Sequence, residues 1–143
     1  MAKLVLTNAK VTIAGTDLSD HIASISLATQ YDLVETTQFG QTSKQFVAGL
    51  AANTITFEFY QDFQAGSVES IIYPLLGTAT TCRIKPIDAA RSADNPEYIM
   101  DGTNGSGRIL ISEWQALNAA VGEITTVSVT WPISGDVIKL TTP

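Results

Sequence analysis

His21, the sole histidine, follows Asp17 and Asp20, and a histidine beside carboxylates is the pairing used in general acid–base catalysis. The plainer reading is a polar residue in a short turn joining two strands. Cys82, the only cysteine, would be a nucleophile if a histidine lay against it in space. Its place in the alternating run Thr80–Ile84 reads instead as a buried structural thiol. A zinc site needs several Cys or His ligands, and the chain owns one of each. Gly102, Gly105 and Gly107 stand before a predicted strand, whereas a dinucleotide fingerprint follows a strand and opens a helix. They read better as a glycine-rich hairpin. Asn104-Gly105-Ser106 matches a glycosylation sequon, which carries little meaning without a secretory signal. Asp94 with Glu97, or Asp17 with Asp20, could touch a calcium ion, but no twelve-residue loop of ligands surrounds either pair. The residues therefore point away from an enzyme and imply no cofactor and no metal.

The elements that would position any site are strands. Ile25, Leu27 and Thr29 alternate with Ser24, Ser26 and Ala28, and Ile55, Phe57 and Phe59 with Thr56, Glu58 and Tyr60. Thr125, Val127, Val129 and Trp131 alternate with Ile124, Thr126, Ser128 and Thr130. Period two in Val, Ile, Thr and aromatic residues marks half-buried strands. Further strands are expected at Lys3–Thr7, Lys10–Ile13, Thr80–Lys85, Pro96–Met100 and Gly107–Glu113. Short strands between turn signals suggest a sandwich or barrel.

One segment follows helical spacing. Val68, Ile71, Ile72, Leu75 and Leu76 form an apolar stripe over Ser67–Leu76, with Ser67 as N-cap, Glu69 in the first turn and Gly77 at C′. Pro74 bends or tightens the last turn. Leu33–Gly49, Asp88–Asn95 and Asp101–Gly107 read as excursions, the last holding the turn dipeptides Asp-Gly and Asn-Gly.

Composition narrows the function classes. The chain of 143 residues fits one domain, 1–143, and only 15% of its residues are charged, against about 25% in average domains. A surface so poor in charge suits one shared with partners. A net charge of −6 with eight scattered basic residues is the wrong balance for phosphate binding. No apolar run reaches the ~18 residues that cross a bilayer, and the N-terminal Met-Ala-Lys-Leu-Val-Leu is too short for a signal peptide's apolar region. The expectation is a soluble product made in the cytoplasm, with no membrane partner. Leu33–Gly49 has no regular period, yet it carries Phe39 and Phe46, which argue against plain disorder. An extended arm docked on a neighbouring subunit fits both facts.

Several phrases occur together in a telling order. They are Gly15-Thr-Asp-Leu-Ser-Asp-His-Ile22, Leu33-Val-Glu-Thr-Thr-Gln-Phe-Gly40, Phe46-Val-Ala-Gly-Leu50 and Thr56-Phe-Glu-Phe-Tyr-Gln-Asp-Phe63. Pro74-Leu-Leu-Gly77, Pro96-Glu-Tyr98, and Ala120-Val-Gly122 leading into Val127-Ser-Val-Thr-Trp131 follow. Over nearly the whole chain this order resembles the tail tube, or major tail, proteins of siphophages and related gene-transfer particles.

The resemblance implies a mainly β fold, two packed antiparallel sheets as a sandwich or distorted barrel, with one short helix and one long loop. It implies a structural virion protein whose homohexameric rings stack into a hollow tube, the conduit for viral DNA during ejection. Implied partners are further copies of the chain, the tape-measure, tail terminator and tail-tip proteins, and DNA that passes without specific binding. The expected inter-ring loop residues are Glu35, Thr36, Thr37, Phe39, Gly40 and Phe46. If an inner-sheet strand turns the face of Thr56, Glu58 and Tyr60 to the channel, Glu58 and Thr56 line the lumen, with Glu123 beside the C-terminal strand as a second carboxylate. Repeated around a ring, such carboxylates repel phosphates. Three other readings are open: a tube or ring-capping protein of a contractile tail or secretion system, a ligand-binding β-sandwich using Tyr60, Trp114 and Trp131, and a hydrolase using Asp20 and His21.

Overall fold

Period two decides the architecture. The computed structural model describes residues 7–117 and 119–142, so the expected first strand, Lys3–Thr7, lies outside the described residues except at Thr7. The described chain runs β1 (Lys10–Ile13), β2 (Thr16–Asp17), β3 (Ile22–Glu35), β4 (Phe46–Tyr60), α1 (Val68–Ile72), β5 (Ala79–Thr80), β6 (Cys82–Lys85), β7 (Glu97–Met100), β8 (Arg108–Leu110), β9 (Thr126–Ser134) and β10 (Ile138–Leu140). These form two five-stranded sheets, in the orders β10-β7-β6-β1-β2 and β3-β4-β9-β8-β5. Every pairing between strands is antiparallel. The sheets pack as layers and do not close into a barrel.

The core lies between the layers, on the faces that the alternation assigns. Ile55, Phe57 and Phe59 of β4 and Val127, Val129 and Trp131 of β9 are buried with Val11, Ile13, Cys82 and Met100 of the other sheet. Trp131 is fully buried, and its indole N–H donates to the Glu113 carbonyl at 2.9 Å, so its one polar atom is satisfied. Phe57 packs on Phe59 at 5.1 Å and on Trp131 at 5.8 Å between ring centroids. Tilted pairs of this kind add about 0.5–1.5 kcal/mol each beyond their burial.

Four expectations are corrected. The helix is shorter than Ser67–Leu76: it holds Val68–Ile72 and continues as a 3-10 turn, Tyr73–Leu75, because Pro74 has no N–H to continue the ladder. Ser67 has the extended backbone of an N-cap, but its side chain makes no capping bond. Thr80–Lys85 is two strands, since Ala79–Thr80 pairs with β8 in one sheet and Cys82–Lys85 with β1 and β7 in the other. The chain crosses between layers at Thr81.

The fourth correction concerns the bounds of the long loop Leu33–Gly49, whose two ends belong to a paired hairpin. Strand β3 runs on to Glu35 and β4 begins at Phe46, leaving only residues 36–45 irregular. Tyr31 pairs with Ala51 but Leu33 with Ala48, so Gly49 and Leu50 both oppose Asp32. Such a bulge shifts the facing of one strand by a residue. It breaks the alternation of β4 and hides a strand from periodicity.

Candidate functional site: the arm, the open face and the histidine joint

Strands β3 and β4 continue as a two-stranded arm past the point where β9 stops pairing with β4, at Asn53. Leu33, Val34, Phe46 and Val47 are exposed there by 74, 48, 52 and 51%. Alternation puts Leu33 and Phe46 on one face and Val34 and Val47 on the other, so both faces are apolar and both are bare. At the tip Phe39 is fully exposed, and Gly40 takes a left-handed φ of +89° that favours glycine.

Local bonds shape this tip. The Thr36 N–H donates to the Gln45 carbonyl at 2.8 Å, the Thr37 hydroxyl to the Glu35 carboxylate at 3.1 Å, and the Gln38 N–H to the Gln41 side chain at 2.6 Å. The tip is therefore ordered without touching the core. Outside the arm, β3 is the edge of its sheet and contains neither lysine nor proline, the residues that commonly protect an edge.

The outward face of the same sheet is hydroxyl-rich. Register sets Ser24 beside Glu58 beside Ser128, and Ser26 beside Thr56 beside Thr130, with the hydroxyls of Thr56 and Thr130 3.1 Å apart. Glu58 is the lone carboxylate on this stretch of β4, and no ion pair reaches it among the described residues. Glu123 is exposed in the turn before β9, where its N–H donates to the Ala120 carbonyl at 3.1 Å.

His21 ends a 3-10 turn, Ser19–His21, and joins distant elements. Its Nδ1 is 2.8 Å from Asp20, and its Nε2 is 3.0 Å from Asp62 and 3.3 Å from the Ser67 hydroxyl. Serine, histidine and Asp20 thus share the connectivity of a hydrolytic triad. Asp62, however, sits closer to Nε2 than Ser67 does. Burial alone disfavours the imidazolium, but the bonds to Asp20 and Asp62 outweigh it and raise the His21 pKa above its ordinary value. Asp20 and Asp62 also lie on opposite ring nitrogens and do not converge on one ion.

The Gln64 N–H, then the Ser67 hydroxyl and His21, hold Asp62 below the usual carboxylate range. The cluster is a joint tying the start of β3 to the end of β4 and the start of α1. A raised histidine pKa contributes stability that is complete below its ordinary 6.5 and is lost as pH rises through the raised value. A lowered Asp62 contributes above its ordinary 3.8 and loses that as pH falls. Thermal melting of the wild type is expected to weaken from pH 6 toward pH 9, and His21→Gln to flatten that decline. Parallel melting curves for the two proteins would refute the joint.

The remaining chemical candidates are taken up structurally. Glu97 accepts from Arg83 at 3.4 Å and from Arg91 at 3.1 Å, and Asp17 accepts from the Ser19 N–H at 2.9 Å. Burial works against ionised Asp101, but bonds from Thr103 and Arg83 outweigh it and lower its pKa to about 2. Burial pushes the Cys82 thiol up to about 12, far from a nucleophile's range. A Cβ on Gly107 would come within 2.1 Å of the Ser134 carbonyl, so that glycine serves backbone packing. Among the described residues no group of three or more His, Cys, Asp or Glu could hold a metal ion.

Sequence reading bounded the arm at Leu33–Gly49 and so left out the exposed Tyr31 and Leu50 on either side. It also missed an apolar patch at the opposite pole, where Phe63, Leu117, Val121 and Ile124 are exposed by 59, 82, 105 and 70%. The available signal was that Leu117 and Val121 fall in no helix or strand period.

No family model and no curated protein matches the sequence. Solved structures do match in shape. A chain from the virion of a native gene transfer agent particle aligns at TM-score 0.68 and 6% identity, covering 92% of this chain and 95% of that one. A chain from the tail of an empty gene transfer agent particle, refined helically with C6 symmetry, aligns at 0.62 and 9%, covering 94% and 95%. The chain has the fold of these particle proteins. A chain from the sheath–tube complex of an extracellular contractile injection system in its extended state aligns at 0.62 and 12%, covering 98% and 93%. The likeness runs over nearly the full length of each partner, so it concerns the whole two-sheet fold and not one shared motif.

Proposed function

We propose that this chain is a tail tube subunit: six copies close into a ring, rings stack into a hollow tube, and DNA moves through the lumen during ejection. The observation that carries the reading is the arm, an ordered hairpin with apolar side chains on both faces and nothing in its own domain to cover them. A monomer would gain by burying that surface, and a neighbouring copy supplies the means. The unprotected edge β3 points the same way, since ring closure consumes an edge that would otherwise template aggregation. The C6 symmetry of a similar tail supports a count of six.

In this reading the sheet β3-β4-β9-β8-β5 faces the lumen. Next to Glu58 that face carries hydroxyls, with its exposed arginine, Arg108, farther along opposite Ser134, and six copies of the carboxylate would make a repelling band. The protein is then structural and not catalytic, resident in a virion or similar particle, and meets tape-measure, terminator and tip proteins at the tube's interior and ends. Negative-stain microscopy of the purified protein at high concentration is expected to show rings or hollow filaments about six subunits around. A strictly monomeric chain at every concentration and salt tested would overturn the reading.

A further inference from the structure

An arm that leaves its own domain needs a seat on another. Strand β4 starts in the arm and runs 15 residues to Tyr60, roughly 50 Å at the usual rise of a strand. Beyond Tyr60 the chain passes Phe63 into α1, and Trp114, Ala116 and Thr125 return to this end. The Gln61 side chain donates to the Ala116 carbonyl at 2.9 Å, the Gln61 N–H to the Thr125 carbonyl at 3.0 Å, and the Trp114 indole to Glu69. On this frame stand the exposed Phe63, Leu117, Val121 and Ile124.

Resting on the tube reading, we propose that this pole is the seat of the arm from a second copy of the chain in the next ring, with Phe39 and Phe46 packed against Val121 and Ile124. The chain's own arm cannot reach it, because the two lie at opposite ends of β4. Both surfaces are apolar, and the charges at their tips are opposite: Lys44 is the only charged residue between Gln38 and Ala48, and Glu123 the only one between Leu117 and Ile124. The arm's carboxylates Asp32 and Glu35 stand on its stem, Glu35 across from Phe46. Two different surfaces at opposite poles make a head-to-tail contact, which does not close on itself and so propagates as a filament. Glu123 then belongs to the stacking contact.

Cysteine pairing tests this. Native Cys82 is buried, with a thiol pKa near 12, and stays out of the reaction. Protein carrying Phe39→Cys with Val121→Cys, assembled and then oxidised, is expected to give a ladder of dimer, trimer and longer species on a non-reducing gel. Each copy carries one donor and one acceptor thiol, so the ladder continues past the dimer, while either single variant stops at or below it. Should Phe39→Cys itself fail to assemble, Lys44→Cys with Glu123→Cys gives the same readout. Assembled tubes without a ladder in either pair overturn this seat and leave the tube reading intact. Wild-type protein that forms neither rings nor tubes overturns both.

Discussion

Replacing Thr36–Val47 with a short Gly-Ser linker is expected to leave a folded domain that no longer polymerises. The segment removed makes no core contact: Phe39, Phe46 and Val47 are all exposed, so its loss takes little from the folded state. Circular dichroism and the melting temperature are therefore expected to stay near wild type. Assembly is another matter. Fully burying three such side chains contributes on the order of 4–8 kcal/mol by area. Ordering the arm offsets part of that, and a remainder near 4 kcal/mol is about a thousandfold in the concentration needed to assemble. Microscopy across that concentration range checks the outcome. Normal tubes from the shortened protein would show that the arm has no part in stacking. The milder Phe39→Ser, which removes one fully exposed ring, is expected to raise the assembly threshold by a smaller step in the same direction.

Glu58→Lys is expected to leave assembly intact and to slow DNA passage. Glu58 lies between Ser24 and Ser128 on the outward face of its sheet, and lysine's long stem is tolerated on such a face. If the face of Glu58 lines the lumen as proposed, the change alters that wall by two charges per subunit, hence about twelve per ring under six-fold closure, and turns a band that would repel phosphates into one that would hold them. Particles built with the variant are expected to attach to cells normally and to release DNA at least about tenfold more slowly at ~10 mM salt, where the screening length is about 30 Å. The difference shrinks toward 1 M salt, where it is about 3 Å. Unchanged ejection kinetics at low salt would remove Glu58 from the channel, and a failure to assemble would place it at a subunit interface.

The two experiments separate features that a single copy carries for different reasons. In the proposed tube the arm would act through apolar area and be insensitive to modest salt, whereas the open face would act through charge and be governed by it. The histidine joint belongs to neither. His21, Asp62 and Ser67 stabilise the domain from which the arm projects, so a pH effect there is expected in melting before it is seen in assembly.

Much of the inward-facing chemistry was legible without coordinates. Alternation assigned Ile55, Phe57, Phe59, Val127, Val129 and Trp131 to the core and Thr56 and Glu58 to the opposite face, and these assignments follow from a local property, the period of a strand. Helical spacing and a capping-type residue located α1 within a few residues, and Cys82 read as buried from its neighbours alone. What failed was whatever depends on a partner distant in sequence. A bulge opposite Asp32 shifts β4 by one residue and conceals the stem of the arm. Thr81 divides an apparently continuous strand between two sheets because each half finds a different neighbour. His21 meets Asp62 and Ser67 across 41 and 46 residues, so its ordinary setting in an Asp-His turn hid a three-element joint. Phe63, Val121 and Ile124 make a surface only after the chain has folded back past Gln61. Side-chain period is written residue by residue, and so the sequence by itself determined which face each strand buries. Pairing and proximity arise when separate segments compete for the same edges and the same core, and that competition is settled only in the tertiary structure.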